Sequence, residues 1–149
     1  VGMNVATADK YMDTAEVTVE FFNGESVKVS IDTISMEEVL KTSDFISLHV
    51  PAQKEYVIGR KEFGMMKEGA VIINAARGGV IDEVALVNAL DNNKLAFAAL
   101  DTFENEPKPE IKLLMHPKIS LTPHIGAATL EAQDRIGTEL GQQIISILC

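Results

Sequence analysis

Disulfides are excluded first: the sequence holds a single cysteine, Cys149, at its last position, so no internal bridge can form. Equally absent are a Gly-x-Gly-x-x-Gly phosphate cradle, a Gly-x-Ser-x-Gly nucleophile elbow and a Gly-Lys-Ser/Thr loop. No His/Cys/Asp/Glu spacing has the look of a metal site, so no metal is expected. Positive charge is scarce, with 13 Lys and Arg against 22 Asp and Glu and a net charge of -9, which argues against a nucleic-acid surface. No apolar run approaches the roughly 20 residues of a membrane span, and no basic region followed by an apolar stretch opens the chain. A soluble protein of the reducing cytoplasm, with no membrane or nucleic-acid partner, is the expectation. Val1-Gly2-Met3-Asn4-Val5 reads like the inside of a longer protein rather than a natural beginning.

What is present is ordinary globular composition, 46% hydrophobic and 23% charged over 149 residues, enough for one domain or part of one. The informative stretch is residues 70–90. Val71-Ile72-Ile73 is an apolar run suited to a buried strand, and Val84, Leu86, Val87 and Leu90 recur at helical spacing. Between them lies Asn74-Ala75-Ala76-Arg77-Gly78-Gly79, an amide and a guanidinium at the carboxyl end of a strand, where open α/β sheets bind ligands. Arg77 offers a planar fork suited to a carboxylate or phosphate. Taken alone, an arginine is more often a solvated surface group.

The remaining elements follow the same rhythm. Met3 to Ala8 reads as a short strand ending in Asp9, and Val17 to Ile31 alternates strictly about Asn23-Gly24, which predicts a hairpin. Ser35 to Glu38 is a capping box for a short helix. Residues 44–50 form a strand that Pro51 ends, residues 57–66 a helix closed by Gly69, residues 82–92 a helix, and residues 95–100 a strand ending in Asp101. An acidic, proline-punctuated loop follows, then one helical turn near Leu113, a strand over Ile119 to Thr122, and a long amphipathic helix from Thr129 to Cys149. Strands alternating with helices specify parallel βαβ units. Such a sheet gathers Asp9, His49, Asn74 with Arg77, Asp101 and His124 along one edge. Singly, an Asp at a strand end is usually a turn residue and a lone His a packed one. Together they suggest acid/base chemistry on a small acid: an imidazole moves the proton, a carboxylate orients it, and a guanidinium holds the oxyanion. Glu104 and Glu106 are both candidates for that carboxylate, and spacing does not choose between them.

Asn74 to Leu86, Ala99 to Pro107, and Leu121 to Ala127 resemble, in order, three motifs of the NAD-dependent D-2-hydroxyacid dehydrogenases, and within them the phosphoglycerate branch. The resemblance implies an α/β, Rossmann-like three-layer parallel sheet, incomplete at its N-terminal βα unit. One partial NAD-binding domain would then occupy residues 1–149, without the glycine-rich turn and the substrate domain. It implies that Arg77 binds the substrate carboxylate, that His124 exchanges the hydroxyl proton, and that Glu106 is its carboxylate partner. On the cofactor side it implies Asp101 at the nicotinamide carboxamide, Asn74 and Ala75 along the nicotinamide ribose, and Gly126 where the backbone nears the ring. His49, Val50 and Pro51 would lie along the adenosine side, and Asp9 would hold the adenine ribose and favour NAD over NADP. The implied partners are a 2-hydroxy or 2-keto acid and a second copy of the chain in a homodimer, and the implied setting is serine biosynthesis. Residues 12–34 have no usual counterpart in the family. Two other roles share these residues: an inactive binding or dimerisation module, and a corepressor-like sensor of NADH.

Overall fold

The computed structural model describes residues 2–126 and 128–148, so the expectations that touch Val1, Ala127 and Cys149 lie outside the described residues. A hairpin comes first, β1 (Thr14–Glu20) antiparallel to β2 (Ser26–Asp32). Its alternation places Ala15, Val17, Val19, Phe21, Val27, Val29 and Ile31 on one face and polar residues on the other. The strands are joined through a turn in which the Gly24 amide donates to the Phe21 carbonyl, with Gly24 at φ 83. That left-handed value explains the glycine.

α1 (Met36–Thr42) starts where the Ser35 hydroxyl accepts from the Glu38 amide, and leads into β3 (Phe45–Leu48). α2 (Arg60–Met65), β4 (Ala70–Asn74), α3 (Glu83–Asp91), β5 (Leu95–Leu100), α4 (Ile111–Leu114), β6 (Ile119–Leu121) and α5 (Leu130–Leu148) complete the chain. The last four strands form one parallel sheet in the order β3-β4-β5-β6. Each new strand is added on the same side, so right-handed crossovers carry α2, α3 and α4 over one face. Ile46, Ile72 and Ala98 are register neighbours on that face, and Leu48, Asn74 and Leu100 are the next row. All six are buried, beneath Leu86 and Leu90 of α3. Burying an aliphatic side chain of this size contributes about 1.5–3 kcal/mol.

The α/β class and the Rossmann-like parallel sheet are as expected, and three local expectations are corrected. Residues 3–8 form no strand: within them Thr7 alone makes an isolated bridge, to Thr33. The helix anticipated over residues 57–66 begins at Arg60, because Val57 and Ile58 instead donate their amides to the Val80 carbonyl. Of the three layers, the helix layer and the sheet are described. Val71 and Ile73, on the second face of β4, are only partly buried, and no described element packs across them. Neither Leu130–Leu148 nor the hairpin's apolar face is covered, and no described helix is long and apolar enough to cross a membrane.

Ile72, with no exposed surface at the centre of the sheet, is the test of this core. Ile72→Ala should lower unfolding stability by about 2–5 kcal/mol. A denaturant midpoint that stays at the wild-type value would contradict the packing described.

Candidate active site

The first wall of the site is the turn after β4. Asn74, 2% exposed, shapes it with both ends of its amide: Nδ2 donates to the Arg77 carbonyl at 3.0 Å, and Oδ1 accepts from the Ala76 amide at 3.1 Å. Gly79 adopts φ 74. Gly78 has a different reason to lack a side chain, since a Cβ there would stand 1.9 Å from the Phe103 carbonyl oxygen. The Arg77 turn and the loop after β5 are therefore in backbone contact. The Arg77 side chain is exposed, with Nη1 donating to the Ala76 carbonyl at 2.7 Å.

Asp101 ends β5 and gathers the loop that leaves β6. Its Oδ1 accepts from the Thr122 hydroxyl at 2.5 Å and the Ile125 amide at 2.9 Å, while Oδ2 accepts from the Gly126 amide at 2.9 Å. Burial alone would raise this carboxyl's pKa, but those three donors and nearby His124 hold it below its ordinary value. A Cβ on Gly126 would sit 3.0 Å from Oδ2, so the glycine lets the carboxylate approach the backbone. His124, immediately before the two bonded amides, has φ 54, an uncommon left-handed value for a residue with a side chain.

Of the two candidate acids, Glu106 is the one that reaches the imidazole. Its Oε2 lies 2.8 Å from His124 Nδ1, and its Oε1 accepts from the Phe103 amide at 3.0 Å. The bond from His124 comes first, and the Phe103 amide second, in holding the Glu106 carboxyl below its ordinary value. With Nδ1–H committed to Glu106, a neutral imidazole carries its free lone pair on Nε2. The pair is accessible, at 42% and 36% side-chain exposure for His124 and Glu106, so a small molecule can reach it from solvent. Glu104 turns elsewhere: its Oε1 accepts from the Glu83 amide at 2.9 Å and its Oε2 from the Tyr56 hydroxyl at 3.2 Å.

The other expected residues are less convergent. His49 is exposed and its Nε2 lies 2.9 Å from the Ser47 hydroxyl; Val50 is half-buried and Pro51 and Ala75 are exposed. Asp9 does not stand at a strand end. Its Oδ1 accepts from the Tyr11 and Met12 amides, because a short acid followed by free amides closes its own turn when no strand forms before it. A cleft of about 520 Å³ opens on the far side of the Arg77 turn, lined by Lys54, Tyr56, Gly78, Gly79 and Glu104. Sequence reasoning gave no site role to Gly78, Glu83, Tyr56 or Thr122. An acid directly after the Asp82 helix cap, opening a mainly apolar helix, was the one available signal for Glu83.

Residues 1–126 match the family model described as D-isomer specific 2-hydroxyacid dehydrogenase, NAD binding domain. The chain is 40% identical over 151 residues to D-3-phosphoglycerate dehydrogenase 3, chloroplastic, of Arabidopsis thaliana, covering 99% of this chain and 24% of that protein. It is 43% identical over 150 residues to D-3-phosphoglycerate dehydrogenase of Methanocaldococcus jannaschii, covering 99% of this chain and 27% of that protein. The chain thus spans about a quarter of the length of these curated relatives. Among solved structures, a glyoxylate reductase from Paecilomyes thermophila superimposes with a TM-score of 0.68 at 44% identity, covering 72% of this chain and 34% of that one.

Two outcomes follow from this geometry. Gly78→Ala should destabilise the fold by about 1–3 kcal/mol or more, because backbone rather than a pliable side chain blocks the new methyl group; an unchanged thermal midpoint would contradict the close approach. Asp101 has a depressed folded-state pKa, so its stabilisation is present above its unfolded value, 3.8, and is lost as pH falls through the folded one. The protection of the Ile125 and Gly126 amides against hydrogen exchange, relative to their intrinsic rates, should therefore be high at neutral pH and fall on acidification through that range. In Asp101→Asn these amides should be less protected at neutral pH, and the difference from wild type should close as pH falls through the folded-state pKa of Asp101.

Proposed function

Because the chain belongs to the D-isomer specific 2-hydroxyacid dehydrogenase family, through that family's NAD-binding domain, we propose that it is part of an NAD-dependent oxidoreductase acting on a small 2-hydroxy or 2-keto acid. The observation that carries this reading is the 2.8 Å bond between His124 Nδ1 and Glu106 at the carboxyl edge of a parallel sheet. In our reading, the exposed Arg77 fork holds the substrate carboxylate. His124 Nε2 accepts the hydroxyl proton as C2 is oxidised and returns it in the reverse direction. Glu106 keeps the ring in the required tautomer and stabilises the imidazolium that forms. NAD supplies the hydride acceptor, and its reduced form the hydride for the reverse reaction.

The residues at the nicotinamide end fit that cofactor. Asp101 Oδ2, bonded to one amide, retains a lone pair for a carboxamide N–H. Asn74, Ala75 and Gly126 border it in this proposal, with His49, Val50 and Pro51 along the adenosine side and Asp9 selecting NAD over NADP. No Gly-x-Gly-x-x-Gly for the pyrophosphate occurs in these 149 residues. We therefore read the chain as a partial NAD-binding domain with weak affinity for NAD and little turnover by itself. The finer assignment is 3-phosphoglycerate as substrate, with a cytoplasmic place in serine biosynthesis, supported by the two phosphoglycerate dehydrogenases above.

A second reading, a dimerisation module, is favoured by the uncovered apolar stripe of α5. Ile136, Leu140, Ile144 and Ile147 recur along one side of it, at 53%, 54%, 47% and 79% exposure. A homodimer formed by this chain fits both readings.

Calorimetric titration of NADH into the 149-residue polypeptide tests the cofactor assignment. Binding that Asp9→Ala weakens several-fold and Arg77→Ala spares is the expected outcome. Absence of heat at millimolar NADH would leave the module reading in possession of the isolated chain. Robust oxidation of 2-hydroxy acids by the same polypeptide would refute the expectation of little turnover.

A further inference from the structure

We propose that Glu83 is a positioning residue for the Glu106–His124 pair, acting through Glu104; the inference rests on the reading of that pair as the proton-transfer couple. Glu83 and Glu104 exchange bonds across the fold. Glu83 Oε1 accepts from the Glu104 amide at 2.8 Å, and Glu104 Oε1 accepts from the Glu83 amide at 2.9 Å. The second bond satisfies the first amide of α3, a donor that the helix itself cannot pair, with a negative group at the positive end of the helix dipole. The first bond fixes the backbone of Glu104, two residues before Glu106. The geometry resembles a capping box whose halves come from different parts of the chain.

Two further contacts join the same pieces. The Tyr56 hydroxyl donates to Glu104 Oε2, and Gly78 lies against the Phe103 carbonyl. Phe103 in turn donates its amide to Glu106, so the residue that the Arg77 turn touches also orients the acid that holds His124. Through this set, the carboxylate-binding turn and the proton-transfer pair form one body.

Burial makes the Glu83 carboxylate unusual. It is 7% exposed, and burial pushes its pKa up, against the Glu104 amide bond, which lowers it, with the Glu104 charge adding to the rise. The Glu104 charge likewise pushes the Tyr56 phenol up. An apolar residue would fill this place in α3 without the cost of a desolvated charge. What it could not do is accept from Glu104. A glutamine, equal in length and neutral, could.

The experiment follows the Glu106 carboxyl carbon by NMR through an acid titration of the 149-residue polypeptide. The groups that act on Glu106 are the His124 ring and the Phe103 amide, which lower its pKa, and the like charge of Asp101, which raises it. Glu83→Met removes the acceptor at similar bulk, and Glu83→Asp withdraws it by one methylene. Both should raise the Glu106 midpoint toward its ordinary value of 4.5, while Glu83→Gln should keep the wild-type midpoint. If Met does not fold, Asp decides. A His124→Ala control separates the two readings. If it raises the Glu106 midpoint and the folded Glu83 variants do not, the positioning role is overturned and the pair stands. If His124→Ala leaves the midpoint in place, the pair itself is refuted. A purely structural role for Glu83 would lower the melting temperature in Met and Asp without moving the Glu106 titration.

Discussion

The Asp101 carboxylate is the constraint around which the candidate site is built. It ends β5, is 7% exposed, and spends both oxygens on the loop that leaves the neighbouring strand β6. A buried carboxylate is expensive unless it is well supplied with donors, and here three donors converge on it. Two of them are the amides that follow His124. The left-handed backbone of that residue is thus held by charge-assisted bonds on its C-terminal side, and the imidazole is delivered to Glu106. Without that anchor, a residue with a side chain would have little reason to stay at φ 54.

A second set of contacts brings the Arg77 turn into register with this pair. Asn74 closes the turn from beneath, Gly78 allows it to lie against Phe103, and the Glu83–Glu104 exchange ties the start of α3 to the loop bearing Glu106. The parallel sheet explains why so few residues suffice. With β4, β5 and β6 in adjacent register, their carboxyl ends lie side by side, and each following loop needs one polar side chain to grip the next.

The uncovered surfaces belong to the same logic. One face of the sheet is sealed by α2, α3 and α4, while Val71 and Ile73 on the other, the hairpin's valines and the stripe of α5 stay wholly or partly open. Arg77, Glu106 and His124 are open as well, so the carboxyl edge of the sheet presents these groups to solvent.

How much of this was legible follows from the range of each interaction. Apolar periodicity determined the strands and helices from residue 44 onward, because burial against one face repeats with the geometry of each element, and the order of the strands determined that polar residues would line one edge. Motif spacing alone left Glu104 and Glu106 equivalent, since both lie on one acidic loop, and it offered Asp9 as a strand-end acid. Tertiary structure decided these: Glu106 is turned to His124 by the Phe103 amide, Glu104 is drawn to α3, and Asp9 closes its own turn because no strand forms before it. It also decided Gly78 and Glu83, whose partners stand about two dozen residues away. A local pattern records which face of an element is buried; it does not record which backbone amide another loop will present to it.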